Sequence, residues 1–329
     1  MAKKILFFIL LILPFLLMNS CSSLIQKQAV SVTAGIAQKG QGEIKKLSTW
    51  TDISTGLPAQ IVFAETMLAS SPEDLGLLGQ LIQGNTAAGF LISETQYLEA
   101  TSEKDQKNTL SEAKKYYVKT LEHFASYLKV KGSSFDELLS GSGNAELIRK
   151  TLSNKFSNSD YPTIFYAAQA WASLINLSRQ DINLVSNLHV PKTMIDFVCE
   201  KNPQFEEGLC QIFQALYEWG RPKMLGGDHK LAFNIYQTLE KTYPSNLLYP
   251  VLAAQFALLP NGKSEDWDAL KNKLKNSFSE FNKSLEQPGY LKLGLKDEFY
   301  QHPQFNIFNV VAQKRFESLI KKEKELLVQ

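Results

Sequence analysis

The sequence lacks most of the features on which enzymes and nucleic-acid-binding proteins depend. Its 35 lysines and arginines nearly balance 33 aspartates and glutamates. Since it has no basic stripe, a nucleic-acid partner is not expected. The four histidines are scattered without a metal-ligand spacing, at His123, His189, His229 and His302,. No Gly-x-Ser-x-Gly motif, P-loop or dinucleotide fingerprint occurs,. These absences predict a protein that is not an enzyme and binds neither metal nor cofactor.

Sustained alternation of polar and apolar residues, which marks half-buried β-strands, is also missing,. Residues 191–244 show helical spacing instead, with apolar side chains recurring at intervals of three and four. Two such stripes flank a loop: Leu209, Ile212, Phe213, Leu216 and Tyr217, then Ala232, Ile235, Tyr236, Leu239 and Tyr243. The sequence therefore predicts an all-α protein.

Prolines predict where several helices end. The residue before a proline disfavours helical geometry, and Pro72, Pro203 and Pro244 each close a helical stretch. Ala232, Tyr236 and Pro244 also stand at the offsets of the alanine, aromatic and proline late in a tetratricopeptide repeat. No clean period runs through the chain. We therefore predict a superhelical stack of degenerate, tetratricopeptide-like helical hairpins, with an irregular helix bundle as the alternative.

The N-terminus has the pattern of a targeting segment. Lys3 and Lys4 precede an apolar run of about 14 residues, which is too short to span a bilayer comfortably,. Cys21 follows in a context that resembles a bacterial lipobox. We expect acylation of Cys21 and anchoring to the cell envelope, and Ser22 after it favours the outer membrane. A secretory peptide cleaved near Cys21, or an uncleaved anchor, are the alternatives.

This interpretation divides the chain into three segments. Residues 1–21 are the leader, residues 22–46 are a tether with a marginal first helix, and residues 47–329 are the all-α domain. Removal of the leader takes two lysines with it and leaves 33 basic against 33 acidic residues. The mature chain is then electrically neutral.

The two remaining cysteines, Cys199 and Cys210, flank a predicted turn between two helices. If the helices are antiparallel neighbours, the two side chains can meet. In an oxidising compartment they would then form a disulfide. Two buried free thiols are an equally good interpretation.

Two of the predicted helices have unusual compositions. In the first, which begins near Thr55, Pro58 would occupy the first turn, where proline is tolerated,. The second, residues 73–94, carries small residues at Gly76, Gly79, Gly84, Ala87, Ala88 and Gly89. Because glycine costs helix stability, so many small residues indicate close approach of a neighbouring helix, or space left for something else.

Aromatic and polar side chains cluster around the central helices. They could line a pocket, because tyrosine and tryptophan combine apolar area with a polar tip, and an arginine among them could pair with an organic anion. The alternative is ordinary core packing with a surface arginine. The candidates for ligand binding are Tyr166, Trp171, Tyr217, Trp219 and Arg221, with Phe165 beside them.

The loop after Arg221 contains Gly226, Gly227 and Asp228. This triplet resembles a fragment of a phosphate-binding loop. The better interpretation is that the glycines form the turn and that Asp228 caps the next helix.

Several segments taken together are similar to the T-component family associated with tripartite ATP-independent periplasmic (TRAP) transporters. They are TGLPAQIVFAETMLASSPEDLGLL, YAAQAWASLINLSRQD, and the stretch from NPQFEEGLC to NIYQTLE. The strongest part is the run carried by Arg221, Pro222, Gly226, Gly227, Ala232 and Tyr236.

The resemblance implies a periplasm-facing lipoprotein with tetratricopeptide-like hairpins and a ligand-sized channel. It further implies a homotrimer that associates with a periplasmic solute-binding P-component during uptake of a small organic acid or hydrophobic ligand. The rival hypothesis is an outer-membrane scaffold that holds a peptide or another envelope protein in its helical groove.

Overall fold

A computed structural model describes residues 32–33, 35, 40–141, 143–221, 223–286 and 298–327. Helices and turns make up these residues, without a strand among them, and the prediction of an all-α fold is confirmed. The predicted leader, its lipidation site Cys21 and the loop residue Pro222 lie outside the described residues. The finer tetratricopeptide-like repeat stays a prediction.

The helices follow one another with short connections. In chain order they are α1 (Gln41–Ile44), α2 (Trp50–Ser70), α3 (Leu75–Ala87), α4 (Glu94–Glu99), α5 (Glu103–Val130), α6 (Phe135–Ser140), α7 (Ala145–Lys155), α8 (Tyr161–Asn176), α9 (Ile182–Ser186), α10 (His189–Lys201), α11 (Leu209–Gly220), α12 (His229–Thr242), α13 (Leu248–Ala253), α14 (Ser264–Glu286), α15 (Glu298–Gln301) and α16 (Asn306–Leu326). The π-helical segments Ala88–Ser93 and Ala254–Leu258 continue α3 and α13.

Capping side chains explain where several helices begin. The side chains of Asp74, Ser102 and Asp228 accept hydrogen bonds from backbone N–H groups in the first turns of α3, α5 and α12. These N–H groups have no partner inside the helix, so each cap stabilises its helix by about 1 kcal/mol. At the other end, α2, α10 and α12 each stop two residues before one of the three prolines that predicted a boundary.

The start of α2 differs from the sequence prediction. The helix begins at Trp50, where Thr49 accepts a hydrogen bond from the Asp52 N–H, so Pro58 lies inside the helix rather than in its first turn. The earlier start buries Ile53 completely. Burial of a side chain of this size stabilises the fold by roughly 2 kcal/mol, which helps to offset the hydrogen bond that proline cannot make.

The rod formed by α3, its π-helical continuation and α4 is central to the first half of the fold. Its first helix contacts α2, α5 and α8. A Cβ at Gly89 would lie 2.6 Å from the Tyr117 ring, and one at Gly79 would lie 3.1 Å from Thr163 Oγ1. The small residues therefore allow close helix packing. By length and composition Leu75–Glu99 could cross a membrane, but 61% of its apolar window is buried inside the fold, as in a core helix.

The second half of the fold is built on the α11–α12 hairpin, whose helices contact α13 and its π-helical continuation. The last helix, α16, returns to the first half and contacts α2, α4 and α13. The segment before α2 also joins the fold, because the Ile307 N–H donates to the Lys45 carbonyl at 3.1 Å. Lys45, which the sequence analysis assigned to the tether, is thus held against the domain.

Candidate functional site

A cavity of about 490 Å³ lies between the two halves of the fold. Helices α2, α3, α8, α11, α13 and α16 all contribute to its wall. Most of the lining is apolar and consists of Ile44, Leu57, Ile61, Ala64, Leu81, Ala87, Phe90, Leu91, Leu209, Ile212, Phe213, Leu216, Leu248, Leu252, Ile307 and Phe308. Its size and lining are those of a site for a small organic molecule.

The space exists because small residues line facing helices. Ala64 follows Leu57 and Ile61 on the buried stripe of α2. Gly84 and Ala87 occupy adjacent turns of α3 and also line the cavity. A Cβ at Gly84 would lie 3.2 Å from the Ile61 side chain, so the helices are close together there. The small residues of α3 therefore allow close packing and also leave space for the cavity.

The polar part of the lining includes one ion pair. The Lys45 ammonium contacts the Glu206 carboxylate across 161 positions of sequence. Among the described residues that line the cavity, these two are the only charged ones. Their side chains are 30% and 27% exposed, so solvent reaches both. The ion pair therefore forms a partly solvent-accessible, charged patch in a wall that is otherwise mostly apolar.

Two tyrosines stand near this ion pair. Burial raises the pKa of the Tyr166 phenol well above its ordinary value, with further contributions from Glu206 and Tyr249. The Tyr249 hydroxyl donates a hydrogen bond to the Glu207 carbonyl oxygen at 2.8 Å, and burial raises its pKa as well. Both phenols remain protonated at neutral pH and offer polar contacts without charge.

The backbone that carries Glu206 has a rare conformation. Glu206 and Glu207 have φ values of 50° and 54°, and Gly208 follows with 102°. Side-chain-bearing residues seldom adopt the left-handed region, which costs of the order of 1–3 kcal/mol per residue. Such a turn persists only where its surroundings determine it, and such turns are common at ligand sites.

The surroundings of this turn meet that requirement. Phe205 is buried, and its ring centroid lies 4.8 Å from that of Phe165. The Glu207 carboxylate accepts a hydrogen bond from Gln304 at 3.3 Å. Gly208 has no room for a side chain, because a Cβ would lie 2.7 Å from Leu239. The turn is thus fixed on both sides of Glu206.

A disulfide closes the same turn. Cys199 near the end of α10 and Cys210 in the first turn of α11 are joined, with their Cα atoms 5.7 Å apart. The sequence left open whether these cysteines form a disulfide or remain free thiols, and in the structure they form the disulfide. Closing a loop of this length stabilises the fold by roughly 3 kcal/mol in the chain-entropy picture.

A buried ionic cluster lies behind the cavity wall. Arg315 of α16 is completely buried, and its Nη2 lies 4.0 Å from the Glu94 carboxylate. Tyr117 donates a hydrogen bond to the other oxygen of that carboxylate. Burial raises the pKa of Glu94, while Arg315 and Tyr117 oppose the rise.

Arg315 also connects the two π-helical segments. It donates from Nη2 to the Phe90 carbonyl oxygen in the first segment and from Nη1 to Gln255 Oε1, at 3.3 Å, in the second. Its guanidinium lies 4.4 Å from the centroid of the Phe90 ring, which itself lines the cavity. π-Helical turns are common at functional sites, and here both are held by one buried arginine.

The structure does not bring the five candidate ligand residues together. Tyr166 lines the cavity, and the other four lie outside it. Trp171 is buried with its ring centroid 5.4 Å from that of Phe135, and Trp219 packs against Tyr236. For the two tryptophans, ordinary core packing is therefore the interpretation that fits.

Tyr217 and Arg221 belong to a different local arrangement. The Arg221 guanidinium lies 4.4 Å from the centroid of the Tyr217 ring and pairs with Glu218 at 2.6 Å. The Glu218 carboxylate also accepts the Asp228 N–H at 3.0 Å. Arg221 therefore stabilises the loop between α11 and α12 and does not face the cavity.

The glycines of that loop have the structural role expected from the sequence. Gly226 has a φ of 83°, which glycine adopts without steric cost. Asp228 accepts the Leu231 N–H at 2.8 Å and caps α12. The phosphate-loop interpretation of this triplet has no support in the geometry.

Sequence reasoning missed most of the cavity. Lys45 stood in the predicted tether, and Glu206 stood in a turn of no known motif, so neither carried a signal. The run of small residues on α3 was the one signal of available space. The described part of the chain contains no group of three or more side chains that could hold a metal ion.

Comparison with models of known protein families gives a match. The family model described as TRAP transporter T-component matches residues 52–283, which is well over half of the chain. No curated protein matches it. The matched range includes Glu206 and the disulfide, while Lys45 and the α16 part of the cavity lie outside it.

Proposed function

Since the chain belongs to the TRAP transporter T-component family, we propose that it binds the periplasmic P-component of its transporter and holds a small amphipathic organic acid in its cavity. Members of this family are accessory components of an envelope-associated transporter, and the family is not an enzyme family. The transporter role comes from family membership, and the ligand class comes from the chemistry of the cavity.

The single observation that carries the ligand part of the proposal is the composition of the cavity wall. An apolar lining favours a hydrocarbon body, because its burial removes apolar surface from water. One partly exposed lysine in this wall favours a carboxylate head,. The volume of about 490 Å³ suits a chain or ring of modest size,.

The proposal also includes the envelope attachment and assembly implied by the family resemblance. Acylation of Cys21 would tether the protein to the outer membrane with its domain in the periplasm. A homotrimer would present three cavities to P-component molecules. The Cys199–Cys210 disulfide is compatible with such an oxidising compartment.

Native mass spectrometry tests the assembly part. The soluble chain that begins after Cys21 would be sprayed alone and mixed with the P-component of the same transport system. We expect a trimer that binds the P-component and carries a small adduct lost on collisional activation. A monomer that ignores the P-component would contradict the proposal. A peptide bound in its place would favour the scaffold hypothesis.

A further inference from the structure

We propose that Glu206 is a built-in counter-anion, which neutralises Lys45 in the empty cavity and is displaced when a carboxylate ligand binds. This inference rests on the proposed ligand-holding function and assigns the specificity of the cavity to two residues. Lys45 would recognise the acid, and Glu206 would set how tightly the acid is held.

The distribution of charge in the cavity is the first support. Among the described lining residues Lys45 is the one cation and Glu206 the one anion, and most of the remaining wall is hydrocarbon. An unpaired ammonium at the edge of such a wall would lose part of its hydration without compensation. A carboxylate supplied by the protein neutralises it, and the carboxylate of a ligand can do the same.

The geometry of the turn is the second support. Glu206 is carried to the cavity by the first of three successive residues with positive φ, and the last of them is Gly208. The disulfide, the buried Phe205 ring and the Tyr249–Glu207 hydrogen bond all hold the turn in this form. These restraints on an unfavourable backbone conformation are explained if the Glu206 carboxylate must be held beside Lys45.

The ion pair can also exchange. The two side chains are 30% and 27% exposed, so a ligand carboxylate can reach them from solvent. The lysine ammonium has three N–H donors, and an incoming oxygen can contact it before Glu206 leaves. Lys45 is the only side chain to which Glu206 is hydrogen-bonded among the described residues. Once displaced, its carboxylate can rotate into solvent.

This arrangement has a consequence for affinity. A ligand acid must compete with the Glu206 carboxylate, which is already in place. Each acid therefore binds less tightly than it would if Lys45 were unpaired. Uncharged molecules of the same shape gain nothing from Lys45 and do not compete with Glu206. Moderate binding of this kind suits a protein that passes its ligand to a partner, because the ligand can be released again.

Calorimetric titration with octanoate and octan-1-ol tests the inference, because the two probes share a hydrocarbon chain and differ in charge. The variants are Glu206→Gln and Lys45→Gln. The matched control is Glu200→Gln, which removes the same charge from the Arg149–Glu200 surface pair outside the cavity. Thermal melts of all variants establish that each one is folded.

We expect Glu206→Gln to tighten octanoate binding roughly two- to fivefold, within the range for releasing a partly exposed cation from an ion pair, with octanol binding unchanged. Lys45→Gln should remove the preference for octanoate over octanol. In the double variant the effect of Glu206→Gln should vanish, and Glu200→Gln should bind like the wild type.

Two results would overturn the inference in different ways. If the wild type binds the probes but Glu206→Gln leaves octanoate affinity unchanged or weakens it, Glu206 is not a competing anion, and the proposed function stands. If the wild type binds neither probe at millimolar concentration, the ligand-holding function fails and the inference fails with it.

Discussion

A Cβ on Gly227 would lie 2.0 Å from the carbonyl oxygen of Arg221 and 3.0 Å from that of Glu218. The end of α11 and the loop before α12 thus approach each other so closely that only glycine fits. The same contact brings the Asp228 N–H to the Glu218 carboxylate. The glycine at this position therefore fixes how the α11–α12 hairpin is closed.

The first prediction concerns this contact. Gly227→Ala should lower the free energy of unfolding by about 2 kcal/mol, because backbone atoms rather than flexible side chains must move to admit the methyl group. Gly220→Ala is the control, since a Cβ there meets nothing within 4 Å. Chemical denaturation monitored by circular dichroism measures both. Equal stability of the two variants would contradict the close contact.

Arg221 gives a second prediction, which differs from the ligand role that its sequence context indicated. Arg221→Ala should destabilise the protein by about 1–2 kcal/mol, because it leaves the nearly buried Glu218 carboxylate with one charged partner fewer,. Octanoate affinity should be unchanged, since Arg221 lies outside the cavity. A weakened affinity with intact stability would return Arg221 to the ligand site.

The disulfide gives a third prediction. Intact mass should rise by about 2 Da when the purified protein is reduced, the difference between one disulfide and two thiols. Replacing Cys199 and Cys210 together by serine should lower the unfolding free energy by roughly 3 kcal/mol. An unchanged mass on reduction would show free thiols and would remove one restraint from the Glu206 turn.

A fourth prediction concerns pH and the buried Asp160. Burial by itself would raise the pKa of its carboxyl, but hydrogen bonds from Lys131, Tyr127 and the Ser157 N–H outweigh burial and hold the pKa below the ordinary value. A carboxyl whose pKa is lower in the folded protein than in the unfolded chain stabilises the fold. This stability is fully present above the pKa of the unfolded chain, near pH 4, and is lost as the pH falls through the pKa of the folded protein.

Asp160→Asn should therefore lower the free energy of unfolding at pH 7. The difference in unfolding free energy between this variant and the wild type should become smaller as the pH falls below 4. Denaturation curves at several pH values test this. The surface variant Asp136→Asn provides a control with the same loss of charge. A difference that stays constant or widens in acid would contradict the assigned hydrogen bonds.

The sequence was a good guide to local structure. The two apolar stripes that predicted helices lie on α11 and α12, and proline marked the ends of α2, α10 and α12. These features depend on neighbours a few residues apart, which periodicity and backbone geometry describe well. The predicted start of α2 near Thr55 is wrong, because the Thr49 side chain, which accepts the Asp52 N–H, caps the helix ahead of Pro58.

The site could not be predicted in the same way, because it depends on residues far apart in the chain. The Lys45–Glu206 pair joins positions separated by 161 residues, and neither residue type is unusual where it stands. Arg315 in α16 resembles any charged residue on a helix until its complete burial is known. An aromatic cluster in sequence is a weaker guide, since Trp171 and Trp219 proved to be core residues.

The central claim is that the cavity holds an organic acid, and octanoate titration of a filled cavity tests it most directly. Ala64→Trp places an indole in the cavity, and Ala87→Leu fills it with a smaller side chain. The control is Val62→Trp, which puts an indole on the exposed face of α2. We predict that filling at Ala64 weakens octanoate binding at least tenfold while Val62→Trp binds like the wild type, a difference of about 1.4 kcal/mol or more. Equal octanoate affinity in the folded Ala64→Trp protein and the wild type would contradict the account, because the acid would then bind elsewhere.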